Sequence, residues 1–340
     1  MQKRFFIILI GLLTTLAAYT QPFYLPTNNK DLLDISTRTN YFVPTVVGTW
    51  ESGTFGCVRS KRLQIHEGWD IRPKNRDKKG EATDPILCVA DGTVVYISSQ
   101  PGNSNYGRYI VVKHNISGID VYTLYAHLAS IGTGIKVGSK IVAGTHLGIM
   151  GRSSNSPSRI SKERAHLHFE ICLLLNPYFE QWFRLNYPKD QVSHEIYNGW
   201  NLAGIDPFIV YKTQAIEGEK FDFVKLVKNQ TKLCEVLIKE KNFPFASKYP
   251  QFVTNTNNLK AEQIVAYKVV FNFNGLPISL TPCSANEIGK TKEKYTLLSV
   301  NEKEQEHNPA RGFLTKSSGK WRITNKFKTY LDQISWTSKK

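Results

Sequence analysis

Between Ile86 and Ile171 the chain is a succession of short β-branched and aromatic runs cut by glycine, asparagine and aspartate. Ile86 to Ala90 and Thr93 to Ile97 flank Asp91-Gly92. Tyr109 to His114 and Val121 to Leu128 flank a second turn around Ser117-Gly118. Two strand-like runs on either side of such a dipeptide predict a hairpin. From Gly132 to Ile149, glycines at 132, 134, 138, 144 and 148 stand among valine and isoleucine, which suits short strands and tight turns and argues against helices. The stretch therefore predicts a mainly β, antiparallel sheet or sandwich domain with few short helices.

The last of these runs is Ala165-His166-Leu167-His168-Phe169-Glu170-Ile171. Alternate side chains of a strand share a face. His166, His168 and Glu170 then point one way, and Leu167, Phe169 and Ile171 point into apolar packing. Neutral imidazole is a common zinc ligand, so the run reads either as part of a metal site or as an ordinary strand carrying two histidines. Taken alone it leaves the two even. A second segment, Ile65-His66-Glu67-Gly68-Trp69-Asp70-Ile71, has the spacing His-x-x-x-Asp. On a helix that spacing shares a face, but Gly68 and the nearby Pro73 argue for a turn into a strand. By itself this pair reads as a loop histidine and a turn aspartate.

The 340 residues, 41% hydrophobic and 21% charged, describe a folded protein of one large or two ordinary domains. A formal net charge of +16 calls for an anionic partner or surface. At the N-terminus, Gln2-Lys3-Arg4 precedes the apolar run Phe5 to Ala18, the layout of a secretory signal peptide and too short for a membrane span. The expectation is a chain exported to the periplasm or cell envelope, or to the extracellular space, with no stable membrane span after signal cleavage and no nucleic-acid partner. Cys57, Cys88, Cys172, Cys234 and Cys283 are far apart and odd in number. They support no thiolate zinc site and read mainly as buried small hydrophobes.

In order, residues 1–20 read as signal peptide, 21–44 as a polar lead-in, 45–212 as the β domain and 219–340 as a smaller, basic β-rich or α+β domain of open role. Phe179, Trp182, Phe183 and Leu185 predict a short helix within Tyr178 to Tyr187. Further hairpins are expected at Ala266 to Leu280 around Asn274-Gly275, and at Phe313 to Thr324. A short helix is expected over Phe327 to Ile334, and Ser299 to Pro309 reads as a charged loop.

Laid end to end, His66-x-Gly68-x-Asp70-Ile71, Ala90-Asp91-Gly92-Thr93-Val94, Tyr106-Gly107, Tyr125-Ala126-His127-Leu128, Val137-Gly138, Ala143-Gly144, Leu147-Gly148, Gly151, His166-Leu167-His168-Phe169-Glu170 and Ile205-Asp206-Pro207 resemble the lysostaphin/LytM-type zinc endopeptidases that cut peptidoglycan. The resemblance covers roughly residues 53 to 208. It implies one Zn2+ per chain bound by His66, Asp70 and His168, with His127 and His166 as non-ligand catalytic histidines and Glu170 as a support orienting an imidazole. It also implies peptidoglycan as substrate. Three features depart from the family pattern: Ile65 in place of a frequent glycine, a longer loop at Lys74 to Asp84, and an apparent insertion at Asn176 to Ala203. Family precedent also allows an upstream segment to block the groove, for which Asn28, Asn29 and Asn40 are available beside a plain-connector reading. His114 is read as a tolerated polar strand end, and His146, His194 and His307 as solvated.

Three functions compete: a zinc endopeptidase of peptide cross-links or stem peptides, a non-catalytic wall-binding regulator of another cell-wall hydrolase, and a peptidase acting on glycine-rich protein. Every position of the expected site is filled, which favours the first.

Overall fold

The computed structural model describes residues 22–156, 160–289 and 292–338. The expected signal segment lies outside the described residues. Among those described, no helix is long and apolar enough to cross a membrane.

The residues from 45 to 217 form a β-rich body with few helices. In chain order it comprises β1 (Gly56–Arg59), β2 (Gln64–His66), β3 (Trp69–Ile71), β4 (Pro85–Leu87), β5 (Gly92–Ser98), β6 (Tyr109–Ile116), β7 (Ile119–Ala126), β8 (Ser130–Ile131), β9 (Lys140–Ile141), β10 (His146–Ile149), β11 (Leu167–Leu174) and β12 (Leu202–Ile205). Helix α1 (Phe179–Asn186) lies between β11 and β12, and α2 (Pro207–Glu217) follows β12. The main sheet runs β12-β11-β7-β6-β5-β9, all antiparallel. β3 joins the same edge of β11 as β12, end to end with it, pairing His168 with Asp70. A smaller sheet, β4-β10-β8, packs alongside.

Alternation along β11 sorts its side chains as the sequence predicts. Leu167, Phe169, Ile171 and Leu173 enter the main core with Trp69, Ile71, Val112 and Tyr125. Cys172 and Leu174 face the other way with Tyr109, Val111, Leu124 and Ala126. All of β11 is buried, so both faces of this strand are fixed by packing and a one-residue slip would reverse every side chain.

The hairpin predicted around Ser117-Gly118 forms between β6 and β7, and both turn residues have positive φ, 50° and 76°, as a type I′ turn requires. The hairpin expected at Asp91-Gly92 does not form. Neither residue has positive φ; β4 pairs with β10, and β5 pairs with β6 and β9. This Asp-Gly step carries the chain from one sheet to the other, and the Asp91 carboxylate accepts from the Ala143 N–H at 2.8 Å. A β-carbon on Gly92 would sit 2.6 Å from the Lys113 carbonyl oxygen, so glycine is required here for close approach.

The lead-in is a structural part of the body. Phe23, Tyr41, Phe42 and Val43 are buried; the Val43 N–H donates to the Asp70 carbonyl and the Arg72 N–H to the Tyr41 carbonyl, each at 2.8 Å.

The remaining residues build α3 (Phe223–Lys228), β13 (Cys234–Ile238), α4 (Pro244–Lys248), β14 (Ala266–Phe271), β15 (Pro277–Cys283), β16 (Tyr295–Val300), α5 (Glu302–His307), β17 (Leu314–Ser317), β18 (Lys320–Ile323) and α6 (Asn325–Ser335). The sheet order is β15-β14-β13-β16, with β17–β18 a separate hairpin. Both C-terminal hairpins and the last helix match the sequence reading. The charged loop expected at 299–309 holds α5 instead: the Asn301 side chain accepts from the Glu304 N–H at 3.2 Å, and Glu302 and Glu304 occupy its first turn, which is N-terminal capping with favourable charge.

This unit is joined to the β body by buried contacts. The fully buried Asn274 side chain donates to the Gly204 carbonyl at 2.7 Å. Asn176 donates to the Gln333 and Trp336 carbonyls at 2.6 and 2.9 Å. The Leu174 N–H donates to the Tyr249 hydroxyl at 3.1 Å. One apolar cluster runs from Phe23 to Ile334 across both parts. All five cysteines are buried and unpaired.

Candidate metal centre

β11, β3 and β2 bring His168, Asp70 and His66 to one point. The strand pair β3–β11 sets His168 directly opposite Asp70, and cross-strand partners share a face. Gly68 allows the step from β2 to β3 to pass close to β11: a β-carbon there would lie 2.2 Å from the Phe169 carbonyl oxygen. His66 Nε2 and His168 Nδ1 each lie 3.0 Å from Asp70 Oδ1, and 3.1 Å from each other. All three side chains are buried.

His127 reaches the same point by breaking the strand rule. It directly follows β7, whose Ala126 pairs with His168 and whose Tyr125 faces the main core. Strict alternation would send residue 127 into that core as well. Its φ of 63° lies in the left-handed region, which non-glycine residues rarely adopt and which recurs at functional sites. Its ring centroid stands 4.8 Å from that of His166 and 5.9 Å from that of His168. His166 Nε2 is 3.4 Å from Asp70 Oδ1.

The ring protons can be assigned from the fixed partners. His66 Nδ1 faces the Thr54 carbonyl at 2.7 Å, His127 Nδ1 the Ser153 carbonyl at 2.9 Å, and His166 Nδ1 the Arg164 carbonyl at 2.6 Å. A carbonyl only accepts, so each Nδ1 carries hydrogen. His168 is the reverse: Nε2 donates to Glu170 Oε1 at 2.9 Å. In their neutral forms His66, His166 and His168 therefore turn an unprotonated nitrogen towards the Asp70 carboxylate, at 3.0, 3.4 and 3.0 Å. Acceptors converging in a buried site need a cation between them. A donor set of two imidazoles and one carboxylate is of the kind that binds zinc, and donor separations of about 3.3 Å are expected for a tetrahedral site with bonds near 2.0 Å. His66, Asp70 and His168 fit a metal ion on chemistry, burial and spacing, and their candidate ligand atoms all lie within 4.8 Å of one another.

The electrostatics agree. Burial disfavours charge on Asp70, but His166 and His66 and the hydrogen bonds around it hold its carboxyl well below the usual range. Burial also opposes charge on His168, yet its hydrogen bonds to Asp70 and Glu170 push it up to about 9. Burial depresses His66, and burial with the neighbouring His166 and His168 depresses His127. In the absence of metal a proton on His168 Nδ1 serves as the cation, which metal binding has to displace.

Glu170 is fully buried and saturated: besides the His168 N–H it accepts from the Tyr106 hydroxyl at 2.7 Å and the Cys172 thiol at 3.1 Å. It orients His168. Arg59 was not legible as a site residue. Its Nη2 donates to Asp70 Oδ2 at 2.5 Å and its Nε to the Ser52 carbonyl at 2.9 Å, so the second carboxylate oxygen is held by β1.

The centre opens into a groove of about 930 Å³. Ile65, Glu67, Tyr106 and the 176–203 segment, through Phe183 and Trp200, line it. Residues 22–44 do not line it; Asn29 instead donates to the Arg72 carbonyl at 3.1 Å. His146 and His307 are exposed as expected. His194 is not solvated: it is buried, 3.0 Å from the Tyr96 hydroxyl and edge-on to Tyr109. Its sequence neighbours carry no sign of that aromatic pocket. Arg311 and Lys326, from the C-terminal unit, also line the groove.

Residues 64–177 match the profile of Peptidase family M23. The M23 match spans β2 to β11 and so contains all five residues expected from sequence. The chain is 30% identical over 128 residues to a protein of Pseudomonas aeruginosa described as a lipoprotein NlpD/LppB homolog, covering 37% of this chain and 36% of that protein. It thus spans about a third of the length of that curated relative. Among solved structures, the catalytic domain of lysostaphin from Staphylococcus simulans is 22% identical, covering 38% of this chain and 74% of that one with a TM-score of 0.25. A catalytic-domain variant of the prophage-encoded M23 protein EnpA from Enterococcus faecalis is also 22% identical, covering 35% and 75% with a TM-score of 0.26.

Proposed function

We propose that the chain is a zinc-dependent endopeptidase that hydrolyses peptide cross-links or stem peptides of bacterial peptidoglycan. The observation that carries this reading is the convergence of His66 Nε2, His168 Nδ1 and Asp70 Oδ1 at 3.0–3.1 Å in a buried centre that opens into a groove. These three residues would hold one zinc, and the ion when bound supplies a Lewis acid that polarises the scissile carbonyl and lowers the pKa of water.

The chain's own residues divide the rest of the work. His127 and His166 each keep Nδ1–H on a backbone carbonyl and present Nε2 to the reacting region. Between them they accept the attacking water's proton, return it to the leaving amine, and in the protonated form donate to the developing oxyanion. Glu170, held by Tyr106 and Cys172, fixes the His168 ring, and Arg59 leaves Asp70 a single free oxygen. Exported, in the periplasm or cell envelope, a basic protein meets an acidic wall polymer, consistent with the charge of +16.

Purified full-length protein is expected to hold about one zinc per chain and to release new amine termini from purified peptidoglycan. A chain that binds wall without zinc and releases no amines would sink the enzyme reading and leave the regulator. Mass spectrometry of the fragments identifies which bond is cut.

A further inference from the structure

The C-terminal unit shares the groove with the metal centre. Arg311 and Lys326 line the same cavity as His66, His127 and His168. Arg311 is held in place: its Nε and Nη2 both donate to Asn274 Oδ1, at 3.0 and 2.6 Å, and Asn274 is itself anchored on Gly204 of β12. A guanidinium has five N–H donors in a rigid fork, so three remain for a ligand. The loop carrying Arg311 is clamped from its other side, because Arg62 donates from Nε to the His307 carbonyl at 2.8 Å. Lys326 sits exposed at the start of α6.

The charge balance of the lining has one sign. Its cations are Arg59, Arg164, Arg311 and Lys326; its carboxylates are Glu67 and Asp70. Arg59 and Asp70 neutralise each other, which leaves Arg164, Arg311 and Lys326 against Glu67.

We propose that Arg311 and Lys326 form a carboxylate-binding subsite of the groove, so that the C-terminal unit selects acidic peptides for the metal centre. This deepens the peptidase reading and rests on the groove being a peptide site. The ligand class is a short peptide bearing a free α- or side-chain carboxylate, which a guanidinium fork grips in two-pronged fashion and an ammonium attracts as a point charge. The subsite is preformed, since Asn274 and Arg62 fix its wall before any ligand arrives.

The test measures binding, not turnover. Calorimetric titrations use the full-length His127→Ala protein, with Ala-Glu-Lys-Ala as the free acid and with both carboxylates amidated. The free acid is expected to bind at least ten-fold more tightly than the amide, with an affinity that falls as salt rises. Lys326→Gln, on an exposed side chain, and Arg311→Gln, which keeps a donor for Asn274, should each weaken acid binding several-fold and leave amide binding unchanged. Equal affinity for acid and amide, absence of binding by either, or Lys326→Gln and Arg311→Gln proteins that grip the acid as tightly as their parent overturns the proposal. A protein that discriminates acid from amide but cuts no peptidoglycan keeps the subsite and loses the peptidase reading, so the two failures are distinguishable.

Discussion

At the residue scale the proposed function separates residues that would hold a cation from residues that would handle protons. His168→Ala removes a ligand atom and should lose both zinc and activity; His127→Ala should keep zinc and lose turnover. Metal analysis beside an amine-release assay checks this, and equal zinc loss in both variants overturns the division of roles. Arg59 makes a different prediction. It donates to the buried Asp70 carboxylate, so in metal-free protein Arg59→Met leaves the protonated His168 alone to balance that charge and should lower stability. A bound zinc compensates the same charge. The thermal midpoint of Arg59→Met should therefore fall further in chelator than in zinc, and an equal fall in both is the contrary result. His66, Asp70, His127, His166 and His168 were legible through the ordered motifs that resemble the zinc endopeptidases, since neither His-x-x-x-Asp nor His-x-His decided the reading alone. Arg59 was not, since an arginine in a short strand has no pattern, and the Thr54, Ser153 and Arg164 carbonyls that set the ring protons belong to the backbone and have no residue signature.

At the scale of elements the strands succeed where alternation governs and fail where connection matters. The β6–β7 hairpin was legible in Ser117-Gly118, and β11 in its alternating faces. The Asp91-Gly92 step was misread because the dipeptide also serves a crossing between sheets, which only the partners of β4 and β5 decide. His114 shows an element-level consequence. On β6 it is buried, with Nδ1 on the Asp91 carbonyl at 2.9 Å and Nε2 2.7 Å from the Thr123 hydroxyl. Burial lowers its pKa to about 4, below the ordinary value near 6.5. The neutral form is thus preferred in the fold: its contribution is complete above pH ~6.5 and is lost as pH falls through about 4, roughly 3 kcal/mol in all. Urea midpoints measured from pH 7.5 to 4 should fall for the parent protein and fall less for His114→Gln; parallel slopes contradict the assignment. Gly68→Ala tests the β2–β3 step. Its β-carbon has no room against the Phe169 carbonyl, so β3 must move away from β11. The variant should lose zinc with the His66–Asp70–His168 spacing even where circular dichroism shows a folded sheet.

The whole molecule behaves as one body with a groove between its parts. Its length allowed one large or two ordinary domains, and the buried union of the β body with residues 219–340 was not legible, because Asn274, Tyr249 and Asn176 are unremarkable in sequence and act only through the surfaces they join. Deleting 219–340 removes Tyr249 and Ile334 from the shared apolar cluster, uncovers its remainder, and strips the Leu174 N–H and the Asn176 side-chain amide of their partners. The truncated chain should be insoluble or unfold at a much lower urea concentration, and a soluble, zinc-loaded 22–218 fragment of parental stability would show the units to be independent. The five buried, unpaired thiols set a clock on this folding. Once the sheet closes, burial raises the pKa of each one and removes the thiolate that oxidation needs. Before it closes, all five are ordinary reactive cysteines, and an oxidising surrounding can join any pair in seconds to hours. A chain of this kind is safest when it folds faster than it is oxidised, so refolding yield should drop when oxidant is added with the denatured protein and hold when it is added afterwards.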